Sequence, residues 1–429
     1  MRFRNLRFAA AAAALAVALA GCVATPPPGS QTGTQKSQAA PPAPKIAPGV
    51  TDSEIKIGVL YPDAGAIAAF VQGGGGLGNY EAAYRAIIDR VNARGGINGR
   101  RIVPVFLSNN PIGAAPSQEG CVRLTEDEKV FAAVGFFVFD QPMCYLETHQ
   151  TAVVGGPLTA KLYARARAPW FSTSHGGDEA AAAIEAFAAR GLLAGRKVAV
   201  VSSALDLPTR DDTVLPALEK AGVHPVATAV MEPASFDTAA IDAQAGIVAE
   251  KLRSSGADIV IPVGSAVGVL TNAIAKTGWR PRMLFLDWSI GAFTAANADE
   301  LGILNGAVVA GNNVNWDEAT YRDCNETVTQ AFATPAATGG SDGGGSAPAP
   351  TAILGACGDL SLFTAIAQKA GRTLDYASFQ AAGFALGTFT VPGATAPTTY
   401  GPDKPAGTVT PPQLWSMDPA SQGITPYTG

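Results

Sequence analysis

Charge is sparse in this sequence. Asp, Glu, Lys and Arg make up only 15% of 429 residues and sum to a formal −5. No basic stripe supplies phosphate contacts, which excludes nucleic acid as a partner. The three histidines, His149, His175 and His224, are scattered, and no C-x₂-C spacing occurs. That is a poor donor set for a metal. No H-E-x-x-H, P-loop, G-x-S-x-G elbow or paired-carboxylate motif is present. His175 lies beside Ser172 and Ser174, but a hydroxyl adjacent in sequence does not make a triad. No enzyme, metal or cofactor is expected. The apolar run near the N-terminus, Phe8–Ala20, falls short of the ~20 residues a spanning helix needs.

That short run has a different use. Arg2, Arg4 and Arg7 precede it without any acid, giving the charged and apolar regions of a secretory signal, residues 1–21. Arg2 and Arg4 are not adjacent, which argues against a twin-arginine route. The signal ends Leu19-Ala20-Gly21-Cys22, which resembles the bacterial lipobox, whose cysteine takes lipid and becomes the mature N-terminus. Stable anchoring needs two or three acyl chains, as one is marginal. From Val23 to about Val50 the chain is Pro, Gly, Ser, Thr, Gln and Ala, so it cannot bury a core and is expected to be a disordered tether. The expected location is the outer face of the cell membrane, held by the lipid on Cys22.

Cysteine is scarce as well. With Cys22 lipidated, Cys121, Cys144, Cys324 and Cys357 remain. An even remainder in an oxidising compartment suggests two disulfides, with a metal site as the weaker alternative. The simplest pairing joins sequence neighbours, Cys121 with Cys144 and Cys324 with Cys357.

The body alternates short β-branched runs with longer amphipathic stretches. Ile55–Leu60, Arg101–Leu107, Phe131–Phe137, Thr151–Val154, Lys197–Ser202, Pro225–Met231, Asp258–Val263 and Met283–Asp287 read as strands. Gly78–Ala93, Asp178–Gly191, Asp211–Gly222, Ile241–Ser255 and Ala266–Gly278 read as helices. Such alternation predicts α/β architecture with parallel sheets, and the strands are too many for one small sheet. After Gly311 helices dominate: Asp317–Phe332, Leu360–Ala370 and Tyr376–Leu386. Pro335–Thr351 between the first two reads as a flexible insertion, and Gln413–Met417 as an added edge strand. Gly73, Gly75 and Gly78 match G-x-G-x-x-G formally, but the strand lies too far upstream and no acid ends the next one.

Thr51–Gly58 (TDSEIKIG) opens the body. Tyr80–Arg94 (YEAAYRAIIDRVNAR) follows, then Gly95–Ile102 (GGINGRRI). This order and spacing resemble the type I periplasmic binding proteins of the Leu/Ile/Val-binding group. Lys197–Ser202, Gly256–Val263 and Gly401-Pro402-Asp403 fit as well, and the first cysteine pair sits where that family often has a disulfide. The resemblance covers about Thr51 to the end. It implies two Rossmann-like lobes joined by a three-stranded hinge. Lobe one would be Thr51–Ser174 with Asn312–Phe389, and lobe two His175–Gly311 with residues 390–429. A small polar solute, an amino acid or related compound, would bind in the cleft of a monomer and be delivered to a membrane ABC permease. A ligand-sensing or interaction lipoprotein of the same fold is the alternative. Strand ends give the candidate ligand residues: Tyr61, Phe139, Asp140, Gly156 and Thr159 in lobe one, and Asp206, Ser265, Asp287 and Trp288 in lobe two. In the resembled family a Ser and a Thr/Ala pair hold an amino acid there. Here the Ser-like position falls at Phe139 or Asp140, where an aromatic favours stacking and an acid favours a cationic or hydroxyl-rich ligand.

Overall fold

The computed structural model describes residues 47–63, 79–110, 114–175, 177–232, 238–264, 267–287, 301–333, 349–418 and 423–429. Cys22 and the glycines Gly73, Gly75 and Gly78 lie outside them, as do Ser265 and Trp288.

Two parallel sheets form the body. The first has strands β1 (Glu54–Pro62), β2 (Arg101–Asn109), β3 (Ala132–Gly135), β4 (Ala152–Gly155) and β5 (Trp170–Phe171), in the order β2-β1-β3-β4-β5. The second has β6 (Val198–Ser203), β7 (Ala227–Met231), β8 (Ile259–Val263), β9 (Arg282–Phe285) and β10 (Val308–Gly311). Strands β13 (Gln413–Asp418) and β14 (Gly423–Pro426) add to it antiparallel, giving the order β14-β13-β10-β9-β8-β6-β7. A two-stranded ribbon pairs β11 (Thr388–Phe389) with β12 (Thr398–Thr399). The central strands are buried on both faces, as their continuous apolar runs require: β3, β4 and β8 have no exposed residue.

Helix Tyr80–Ala93 shows why the first unit folds as it does. Asn79 caps it, its side chain accepting from the Ala82 amide at 3.0 Å. Ala83, Tyr84, Ala86, Ile87 and Ile88 form its buried face, packed with helix Pro350–Ala370 and the first sheet. The GGINGR turn then does structural work. Gly96 has φ +68, and a Cβ there would lie 1.9 Å from the Arg100 carbonyl oxygen, so only glycine fits. Asn98 donates its amide to the carbonyls of Ala367 and Gln368, at the end of helix Pro350–Ala370. Buried Arg100 donates to the Thr51 and Arg372 carbonyls at 2.6 and 2.7 Å. The motif fastens a helix C-terminus to the base of the sheet, far from the strand ends that carry binding in such folds.

The chain crosses between the two units three times: after β5, after β10, and between β11 and β13. Helices Ala319–Ala333, Pro350–Ala370 and Tyr376–Phe384 return to the first sheet, contributing Tyr321, Val328, Phe363 and Phe379 to its core. Helix Gly177–Ala189 packs on the second, with Ile184 and Phe187 against Val198 and Ala310. The crossings bond to one another. The Tyr400 hydroxyl donates to the Ser172 carbonyl at 3.0 Å, and the Asn315 amide to the Gly393 carbonyl at 2.8 Å.

Several expectations need correction. Helix Pro350–Ala370 starts ten residues before Leu360, absorbing Pro350 and Thr351 of the expected insertion. It is long and apolar enough to cross a membrane, yet 61% of its apolar window is buried inside the fold. Apolar on almost every side, it has no amphipathic period to announce its start. Gln413–Met417 is a strand but not an edge, because β14 pairs outside it. Strand β10 was not expected; four small residues after Gly306 carry little signal. Packed chain also begins before Thr51. Ala47 and Val50 are buried in the first core, and the Cβ position of Gly49 lies 2.5 Å from the Phe131 amide.

Both expected disulfides form, Cys121–Cys144 and Cys324–Cys357. The second ties helix Ala319–Ala333 to helix Pro350–Ala370 across a separation of 33 residues. Replacing Cys324 and Cys357 by serine is expected to lower unfolding free energy by about 3–4 kcal/mol on the loop-entropy argument. Urea unfolding of the double variant beside the oxidised parent measures this, and overlapping curves would refute it.

Candidate functional site

Because β1–β5 are parallel, their carboxyl ends share one edge, and β6–β10 present another. Open α/β sheets bind ligands beyond those ends. The two edges face each other: Lys161, in the short helix after β4, is paired with Asp212, in the helical segment after β6, at 2.8 Å. The candidate site is the space between these edges.

On the first edge, glycine makes the exit from the sheet possible. Gly135 and Gly155 are paired residues with φ +121 and +123. A Cβ on Gly155 would lie 2.2 Å from the Gly135 carbonyl oxygen, and one on Gly135 2.3 Å from the Leu60 carbonyl oxygen. The loop after β3 is then held by a pair of side-chain amides, buried Asn109 and half-buried Gln141. Asn109 donates to the Phe136 carbonyl at 3.1 Å and to Gln141 Oε1 at 2.9 Å, and Gln141 Oε1 also accepts from the Val138 amide. Within this loop Phe139 is half-buried with φ +50, a conformation that a bulky residue rarely adopts. Asp140 is exposed beside it, its carbonyl accepting from the Met143 amide. After β4, Gly156 has φ +77, and its carbonyl accepts from the Ser172 hydroxyl at 2.6 Å. Thr159 caps the next helix through Leu162. Tyr61 is placed differently: it is buried, and its hydroxyl donates to Glu81 Oε2 at 2.9 Å.

On the second edge, Asp206 is buried and accepts from the Ser203 hydroxyl at 2.6 Å. Its carboxyl occupies the space a side chain on Gly264 would fill, the Cβ position lying 1.9 Å from Asp206 Cγ. Asp206 thereby locks the turn after β6 to the end of β8. Asp287 is half-buried just past β9. The structure brings Phe139, Asp140, Gly156, Thr159, Asp206 and Asp287 to the two edges.

Sequence reasoning missed two features. One is the Lys161–Asp212 contact, which joins residues with no shared motif. The other is Asp359, which accepts from the Tyr84 hydroxyl at 2.8 Å beneath the first edge. That hydroxyl lies 3.0 Å from the Cβ position of Gly135. Burial pushes the Asp359 carboxyl up to about 7, while the Tyr84 hydrogen bond works in the opposite direction.

A family model described as periplasmic binding protein matches residues 54–410. Among solved structures, a type 1 periplasmic binding protein from Bordetella pertussis Tohama I superposes with TM-score 0.64 at 16% identity, covering 87% of this chain and 100% of that one. A solute-binding protein of an ABC transporter from Rhodopseudomonas palustris BisB5, in complex with 3,4-dihydroxybenzoic acid, gives 0.63 at 14%, covering 86% and 94%. The branched-chain amino acid transporter substrate-binding protein of Streptococcus pneumoniae, in complex with isoleucine, gives 0.61 at 14%, covering 87% and 98%. At these identities the likeness is one of fold. No curated protein matches this chain.

Proposed function

The chain belongs to the periplasmic binding protein family, and from that premise we propose that it is the extracytoplasmic solute receptor of an ABC importer. The family is one of solute-binding receptors, not of enzymes. Lobe one would comprise 51–174 and 312–389, and lobe two 175–311 and 390–429. They close on a small polar solute by bending at the three crossings. The observation that carries this reading is the apposition of two parallel-sheet edges, spanned by Lys161 and Asp212 at 2.8 Å.

Phe139, Asp140, Gly156 and Thr159 meet the solute from lobe one, and Asp206, Ser265, Asp287 and Trp288 from lobe two, with Tyr61 backing the first edge. Left-handed Phe139 supports this assignment, since such backbone persists where surrounding structure holds it for a task. The relatives solved with isoleucine and with 3,4-dihydroxybenzoic acid favour amino acids and aromatic acids as the first solutes to try. Lipid on Cys22 and the tether after it keep the monomeric receptor beside its permease and raise its effective concentration there.

Thermal shift of the protein tests the reading, after unfolding and refolding to strip any bound ligand. The panel holds amino acids, amides, urea, polyamines and aromatic acids. A ligand binding only the native state raises the melting temperature progressively with its concentration, with ~2.7 kcal/mol of stabilisation at a hundredfold excess over Kd. A broad panel with no such solute defeats the proposal.

A further inference from the structure

Charge is unevenly placed around the cleft. Each of β1–β10 gives way at its carboxyl end to a connecting segment. In the sequence none of these segments, up to the next helix or strand, holds a lysine or an arginine. Acids do stand there: Asp63 after β1, Asp140 after β3, Asp206 after β6, Glu232 after β7 and Asp287 after β9. The cations nearest the two edges already have carboxylate partners. Lys161 is paired with Asp212 at 2.8 Å. Arg210 meets both carboxylate oxygens of Asp211, at 2.7 and 3.1 Å. Arg85 is paired with Glu81 at 2.6 Å. His175, the one histidine of these segments, has Nδ1 2.9 Å from Glu179 Oε1.

Asp140 stands apart from these pairs. It is exposed, and among the described residues no hydrogen bond or ion pair engages its carboxylate. Its backbone is nonetheless fixed. The Asp140 carbonyl accepts from the Met143 amide at 2.9 Å, and on either side of it Gln141 Oε1 accepts from the Val138 amide at 3.0 Å. A free carboxylate is thus presented on a held turn, next in sequence to left-handed Phe139.

We propose that the solute of the cleft is an organic cation without a carboxylate, an amine or a quaternary ammonium whose charge Asp140 meets. This rests on the receptor reading and narrows it. Closing the lobes withdraws the solute from water, and a charge so withdrawn is tolerated only opposite another. An anion would find the cations of both edges taken by carboxylates. An ammonium finds a free carboxylate, in a field of acids that draws it in. The Phe139 ring suits the same solute, since aromatic faces attract ammonium groups.

Matched probes separate charge from shape. One set is 2-phenylethylamine, phenylalanine, 3-phenylpropanoate and 2-phenylethanol. The other is 3-methylbutylamine, leucine, 4-methylpentanoate and 3-methylbutanol, with choline beside both. Each is titrated calorimetrically into the refolded protein at constant pH and ionic strength. The expected result is that in at least one set the amine binds tenfold or more tightly than the amino acid and the carboxylate. Asp140→Asn should weaken that amine tenfold or more and leave the matching alcohol unchanged. The melting temperature of the unliganded variant should match the parent, because the replaced carboxylate bonds to nothing within the fold. A carboxylate or amino acid that binds as tightly as its amine overturns the inference. So does an amine affinity unchanged in Asp140→Asn, or a lack of binding by both amines and choline. An acid from the thermal-shift panel that stabilises the protein while the amines do not leaves the receptor reading standing when this one fails.

Discussion

Gly155→Ala is expected to cost at least about 3 kcal/mol of unfolding free energy, a large share of the ~5–15 kcal/mol that an ordinary protein has. Two effects act together. The residue sits at φ +123, outside the regions that an L side chain adopts without strain. The added methyl would also stand 2.2 Å from the Gly135 carbonyl oxygen, a backbone atom in the paired strand. No rotamer change relieves that contact; β3 and β4 must move apart. Their separation would displace the Phe139 loop and Gly156, so any folded remnant should also lose solute affinity. Gly191→Ala is the control. It has φ +67 but nothing within 4 Å of its Cβ position, and it should cost only the local backbone strain of about 1 kcal/mol. Urea unfolding of both variants measures the difference. Equal losses would show that crowding at the strand pair contributes nothing.

That glycine pair also shows what the sequence could and could not disclose. Gly155 and Gly156 were legible as strand-end residues, because four β-branched or apolar residues run straight into them. Their pairing with Gly135 was not, since it needs the register of two strands that no local pattern encodes. The same division holds elsewhere. β1, helix Tyr80–Ala93 and the GGINGR turn carry strong local signals: an apolar run, an amphipathic period and paired glycines. Helix Pro350–Ala370 begins in an Ala- and Gly-rich stretch with no polar face, so its first ten residues read as loop. At the site, strand-end logic named residues at the carboxyl edges of the two sheets, but the partners of their side chains were not legible. The Tyr61 hydroxyl bonds Glu81, and Asp206 bonds Ser203 and fills the space beside Gly264. Such assignments depend on distant partners. Periodicity speaks only of near ones.

Asp359 is the extreme of that kind, bonded to a tyrosine 275 positions away, and it sets the second large expectation. Asp359→Asn should flatten the pH dependence of stability and make the protein more stable than the parent at neutral and alkaline pH. The carboxyl lies in helix Pro350–Ala370, and the groups that sense its charge are the phenols of Tyr80, Tyr84 and Tyr400. Among the described residues Tyr84 donates to it, and burial dominates and holds the protonated form up to about 7, against an ordinary value of 3.8. In the unfolded chain the group titrates near that ordinary value. Below about pH 4 both states carry the proton and Asp359 exacts no penalty. As pH rises from about 4 to 7 the unfolded chain releases its proton and the native state retains it, so stability falls. Above about 7 both are ionised and the loss is complete. The displacement from 3.8 to about 7 corresponds to about 4 kcal/mol at 1.36 kcal/mol per tenfold, which is an upper limit. Asparagine can still accept from Tyr84, but its amide hydrogens are newly buried, at a cost of about 1–3 kcal/mol. The substitution should therefore destabilise at about pH 4 and stabilise by about 1–3 kcal/mol at about pH 8, with the two stability curves crossing between. Chemical denaturation of parent and variant across that range decides the matter. Parallel curves would mean that Asp359 ionises in the native protein as readily as in the unfolded chain, and that water reaches it beneath the first strand edge.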